Sequence, residues 1–349
     1  HTACPTMHPP LPPLDVCITI DAEFDINYSL EHPDSHTPIG FAAMQRMVDG
    51  RSHGLGFILD TLGAHGLPAT FFIEVFCAHL FGIGEVQQMV TAIRAAASNH
   101  DIQLHAHPCW RYFRDPEWRQ TVKTIDKNDS WAGRGAEALP MMREAIELFT
   151  AITGQPPQAF RSGNLQVDGD VHAALAQLGV PVSSSVGLGL TRPADAALQR
   201  WIAPTRQHGV LEVPVAAYAE PGLRGERIKC LTITGTSWPV TRHMLEWAYH
   251  TQNGPLVILT HASEFSSSVN TEQDDPAQVT YRPAPLVQRR LRQLTQFLDG
   301  ARDRFNTTTF SAGSAAWLNA ASRPDARFTA PYHAGLARVL ENSWIRLHG

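Results

Sequence analysis

Residues 101–110 read DIQLHAHPCW, and the His105-Ala106-His107-Pro108 step at their end sets the terms for the rest of the chain. Side chains on an extended strand alternate between faces, so two histidines one residue apart point to the same side. Such a pair can offer two imidazole nitrogens to one metal ion without bending the backbone. The proline straight after them stops the strand, leaving the pair at a strand end that opens into a loop. In α/β sheets and barrels, active sites lie at the carboxyl ends of strands. A chain with 17 histidines also yields such pairs by chance. The pair therefore has to be read against what other strand ends supply: a carboxylate ligand, a base and an acid.

Upstream, DVCITID (15–21) alternates and is rich in β-formers, which predicts a buried strand. Asp21-Ala22-Glu23 ends it. Carboxylates at i and i+2 there can point into one mouth, as a base and a metal ligand; the plain alternative is a cap on the next turn. The polar stretch from Phe24 to Gly54 is long for a connection and is expected to line a site. Leu55 to His65 has helical spacing and closes at Gly66. ATFFIEVF (69–76) is nearly continuously apolar, as strands buried on both faces are.

The alternation then repeats. A helix over 84–98 leads into IQLHAHP, and a helix over 137–153 into QAFRSGN (158–164). A helix over 169–178 precedes VPVSSSV (180–186), LEVPV (211–215) and IKCLTIT (228–234), all read as strands. A helix over 241–251, the strand PLVILTHASEF (255–265), a helix over 284–303 and the short strand FNTTTF (305–310) complete the series. This order calls for a parallel sheet with covering helices, open or closed into a barrel. The span 108–136 holds Trp110, Tyr112, Phe113, Trp118 and Trp131 and reads as an insertion over the mouth. Its aromatics would either stack on a sugar ring or pack a long loop.

Composition narrows the class. Of 349 residues, 43% are apolar and 17% charged, which suits a globular chain with a sizeable core. A net charge of -5 argues against broad nucleic-acid or anionic-membrane binding. No apolar run approaches the roughly 18–20 residues of a membrane span. The cysteines (Cys4, Cys17, Cys77, Cys109, Cys230) are scattered singly, which leans towards a reducing compartment. HTACPTMHPPLPPL at the start lacks the charged and apolar regions of a signal peptide, so a cytoplasmic location is expected.

Taken in order, these pieces resemble the polysaccharide deacetylases of the NodB-homology group, over about residues 14–320. Thr19-Ile20-Asp21-Ala22-Glu23 resembles the first motif, GLPATFFIEVF (66–76) the second strand, and DIQLHAHP the second motif. FRSGN (160–164) resembles the third motif and ILTHASEF (258–265) the last, with LGVPVSSSV (178–186) and VLEVPV (210–215) between them. The resemblance implies a distorted (β/α) barrel of about seven parallel strands. It divides the chain into an extended lead (1–13), a catalytic domain (14–320) and a C-terminal extension (321–349).

It also implies roles. Asp21 would be the general base, Arg161 would pair with and orient it, and His261 would be the general acid. Glu23 and His105 would hold a divalent metal ion, expected to be zinc. The family's second histidine would fall at Cys109, so the remaining ligand is His107, with Cys109 as the alternative. Ala22 stands where the usual metal aspartate would, which shifts that duty to Glu23. The carboxylate that tunes the acid histidine has no place in this reading. Trp110, Trp131 and Asn164 are the expected substrate contacts. The implied activity is hydrolytic removal of an N-acyl group, acetyl by default, from an amino sugar of a polysaccharide or its precursor. A non-sugar C–N hydrolase of allantoinase type and an inactive carbohydrate-binding relative are the alternatives.

Overall fold

The computed structural model describes residues 10–222, 225–269 and 278–332. Seven parallel strands form its centre: β1 (Leu14–Ala22), β2 (Thr70–Glu74), β3 (Asp101–Ala106), β4 (Ala159–Ser162), β5 (Val182–Ser183), β6 (Val210–Glu212) and β7 (Leu256–His261). Their spatial order is β7-β1-β2-β3-β4-β5-β6, so each new strand joins the side of the last and β7 returns beside β1. The sheet curls until its edges nearly meet. There the chain after β6 bridges the gap, with Ala216 N–H bonding Val257 O and Leu231 N–H bonding Ala216 O. The expected distorted barrel is the one observed.

Period-2 alternation sorts the strands into two cores. Val16, Ile18 and Ile20 of β1, Leu104 of β3 and Phe160 of β4 face outward onto the covering helices. Cys17, Phe72, Ala159, Val257 and Leu259 face inward, with Phe310 and Trp317 from the helix Phe310–Asn319. That helix plugs the amino-terminal end of the barrel: Phe310 N–H bonds Thr70 Oγ1, and Trp317 Nε1 bonds Asp15. The opposite end, where the strands finish, stays open.

Most expected elements appear within a few residues of their predicted bounds, but two do not. VPVSSSV shrinks to the two-residue β5, and IKCLTIT is no barrel strand. Gly225–Cys230 pairs antiparallel with Ala217–Gly222 in a small outer sheet, which Phe328–Thr329 joins. Residues 225–228 are exposed, and Glu226, Arg227 and Lys229 could not face the two apolar layers that a barrel strand needs. The chain reaches the barrel only at Leu231–Ile233, where Thr232 bridges Leu259. Of the extension expected at 321–349, residues 333–349 lie outside the described residues, as do 1–9 of the lead. No helix among the described residues is long and apolar enough to cross a membrane.

Away from the mouth, one buried ionic contact ties three elements together. Glu212 of β6 accepts Ser185 N–H and Val186 N–H through one oxygen and meets His172 Nε2 at 3.0 Å through the other. Both side chains are fully buried. Burial opposes a charged His172, yet the bond to Glu212 and its charge raise the His172 pKa. Stability from this pair is therefore full below the unfolded value of about 6.5 and is lost as pH rises through the folded value. Glu212→Ala should lower the unfolding free energy by about 3–5 kcal/mol, read by urea denaturation. The stability gap between the wild type and His172→Gln should narrow as pH rises above about 6.5; a gap independent of pH would contradict the assignment.

Candidate active site

Strand register brings the polar residues of the open end together. Asp21 on β1 lies beside His261 on β7, Glu74 on β2 beside His105, and His105 beside Arg161 on β4. Glu23 and His107 continue the inward phase just past their strands. Glu23 Oε1 sits 2.8 Å from His105 Nε2 and 3.2 Å from His107 Nε2.

The far side of each ring decides what those nitrogens carry. His105 Nδ1 is 2.8 Å from the Arg161 carbonyl oxygen, which only accepts, so His105 donates there. His107 Nδ1 is 2.6 Å from Asp129 Oδ2 and donates to it in the same way. In its neutral form each ring would then turn an Nε2 lone pair towards an anionic oxygen. Three electron pairs meeting without a proton or cation repel one another, whereas a metal ion satisfies all three. Tetrahedral bonds of about 2.0–2.1 Å place ligand atoms roughly 3.3 Å apart, close to the spacing here. The donor set thus fits a divalent cation, with imidazoles turned by oxygen acceptors behind them.

Without a cation, a proton on His107 supplies positive charge at this point instead. Burial works against an ionised Glu23, yet His107 and His105 hold its carboxyl well below the usual range. Burial likewise opposes a charged His107, while Glu23 and Asp129 hold its pKa well above the ordinary value. Below the cluster, Glu74 is fully buried and accepts His107 N–H and Phe76 N–H, each at 2.5 Å. Burial pushes its carboxyl up to about 7.

A second pair flanks the cluster. Arg161 is fully buried, and its Nη1 meets Asp21 Oδ1 at 2.7 Å. Thr19 Oγ1, Ser184 O and Ser184 Oγ take its other donors, and its guanidinium lies 4.2 Å from the Phe72 ring centre. One Asp21 oxygen is thus engaged, while Oδ2 lies 3.9 Å from His261 Nε2. His261 Nδ1 meets Glu264 Oε1 at 3.0 Å, and Thr260 Oγ1 donates to Glu264 Oε2. Burial would lower the His261 pKa, but the Glu264 bond and the charges of Glu23, Glu264 and Asp21 raise it to about 10.

Asp21, Glu23, His107, Asn164 and His261 line one cavity of about 470 Å³, with Leu165, Leu190 and Leu259 forming its apolar wall. His105 and Arg161 stand behind them. Cys109 lies apart from the Glu23–His105 group, on the Nδ1 side of His107 beside Asp129. Two expectations require correction. Trp110 and Trp131 are buried and offer no free face to a sugar. Trp131 donates Nε1–H to Ala106 O and packs on Phe76 and Phe160, while Trp110 packs against Phe81 and Phe113. The insertion turns these aromatics inward because they dock it onto the main core, through Phe76, Phe81 and Phe160.

Three residues escaped the sequence reading. Glu264 is the missing partner of the histidine, and its signal was the His-x-x-Glu spacing within ILTHASEF. Glu74 was a lone acid inside an apolar strand. Asp129, in the insertion, carried no local signal.

No family model matches the chain, and no curated protein matches it. Among solved structures, it is similar to a candidate polysaccharide deacetylase from Mycobacterium smegmatis, with a TM-score of 0.50 and 14% identity over 93% of this chain and 99% of that one. It is also similar to a family 4 carbohydrate esterase from Streptomyces lividans in complex with acetate (TM-score 0.38, 13% identity, 85% and 93% covered). A third is the Puue allantoinase (TM-score 0.46, 12% identity, 89% and 94% covered). At such identity the first establishes a shared fold, and the other two add nothing to it.

The wild-type chain should retain about one equivalent of zinc after dialysis. His105→Ala should weaken retention by at least about 100-fold, more than loss of an outer partner would. Elemental analysis against a chelator series measures both.

Proposed function

We propose that the chain is a divalent-cation-dependent hydrolase that removes an N-acyl group, acetyl in the first instance, from an amino sugar. The observation that carries this reading is the meeting of Glu23, His105 and His107 at one point, with the Asp21–Arg161 and His261–Glu264 pairs beside it. Two imidazoles and one carboxylate form a donor set that zinc takes in hydrolases. A divalent cation there supplies Lewis-acid polarisation of an acyl oxygen and acidifies water.

The chain's own groups would do the rest. Asp21, steadied through Oδ1 by Arg161, has Oδ2 free to take a proton from an attacking water. That water forms a new O–C bond at the acyl carbon, and the C–N bond breaks. His261, held through Nδ1 by Glu264, gives its Nε2 proton to the departing nitrogen, so the products are an acid and an amine. Water is the natural nucleophile, because Thr191, the hydroxyl-bearing side chain of the cavity wall, is committed to Leu165 O. Leu165, Leu190 and Leu259 offer the short acyl chain an apolar surface.

Asp21→Asn should cut kcat/KM for amine release from N-acetylated amino sugars by about 10²–10⁴-fold. Zinc content should stay unchanged. A zinc-loaded wild-type protein that releases no amine from a panel of acyl sugars, yet opens a cyclic amide, would replace the sugar substrate with a non-sugar one.

A further inference from the structure

Asp129 belongs to no strand end, yet it occupies the most heavily shared position around the cluster. Its Oδ2 lies 2.6 Å from His107 Nδ1 and 2.6 Å from Asn164 Nδ2, and its Oδ1 accepts Cys109 N–H at 2.9 Å. One carboxylate therefore joins the segment after β3, the turn after β4 and the insertion. The segment carrying it is braced from several directions. Arg134 donates to Ser130 O and Asn128 O, and Tyr112 Oη accepts Asn128 N–H. Two residues on, Trp131 is fully buried and anchored to Ala106 O, between the two histidines.

His107 and Asp129 also group with Cys109 as a set of nearby donor atoms. A second ion there would need both nitrogens of the His107 ring, one of which already faces Glu23 and His105. A neutral imidazole has one lone pair to give. The geometry therefore makes Asp129 an outer partner of the ring and not a ligand.

We propose that the insertion is a working part of the metal site: Asp129 is a positioning residue that fixes the His107 ring, and cation binding and ordering of residues 122–134 are linked. The inference rests on the metal site proposed above. His107 stands just past the end of β3, where no ladder fixes its ring, so the orientation has to come from elsewhere. Glu74 holds its backbone and Asp129 its imidazole. Linkage then runs both ways: if the ordered insertion raises cation affinity, the cation must stabilise the ordered insertion to the same degree.

Two measurements on the full chain test this. Zinc affinity, by competition with a chromophoric chelator, should fall about 10–100-fold in Asp129→Ala. Asp129→Asn, which keeps an acceptor of the same shape, should recover part of the loss. Trypsin cleavage after the exposed Lys123 and Lys127 should slow when zinc is added to the wild type and should not respond to zinc in Asp129→Ala. A purely structural Asp129 would lower the melting temperature of the metal-free protein while leaving the zinc affinity of the folded variant intact, and that result overturns the proposal. So does a wild type that binds zinc without protection of Lys123 and Lys127. A wild type that takes up no zinc removes the metal site itself, and this inference with it.

Discussion

Three lone pairs directed at one point repel, and the fold has to supply the force that keeps them there. Glu23 brings an anionic oxygen to two imidazole nitrogens whose protons are already spent on oxygen acceptors behind them. In water such a group would rotate apart. Here His105 is fixed by a strand register that sets its Nδ1 against the Arg161 carbonyl, and His107 by an acid on each side. The scaffold gathers groups that call for positive charge at their meeting point, which a proton on His107 or a bound cation can supply.

The same economy governs Arg161. A lone guanidinium inside the barrel would cost several kcal/mol, so its donors are spent on Asp21, Thr19 and Ser184 and its face on Phe72. Its backbone carbonyl meanwhile holds His105. One residue therefore steadies Asp21 with its side chain and the imidazole that faces Glu23 with its main chain. That dual attachment ties the spacing between the two halves of the site to the β3–β4 register, which side-chain motion cannot alter.

What could be read in the sequence follows the period of the strands. Residues 17, 19, 21 and 23 fall on one face of β1, and 103, 105 and 107 on one face of β3, so the inward set was visible wherever a strand could be recognised. Groups that arrive from irregular chain were not. Asp129 reaches His107 from a loop whose path depends on Trp131 docking, a tertiary event without a local pattern. Aromatic composition alone could not separate a platform for sugars from the anchors that dock the insertion, and burial of Trp110 and Trp131 decided it. Of the strand expected at 228–234 only Ile228–Cys230 is strand, and it lies in the outer sheet, because propensity does not say which sheet a segment joins. The exposed charges beside Ile228 sent that strand outward.

The two pairs of candidate donor residues share one spacing. A neighbouring pair of acids would put one member off the inward phase, so the chain would have to turn to bring it back. Asp21-Ala22-Glu23 and His105-Ala106-His107 both use spacing two, which delivers each pair to the same face with the strand still extended. Ala22 and Ala106 then point to the outer layer, where both are fully buried against the helices and a larger side chain would find no room.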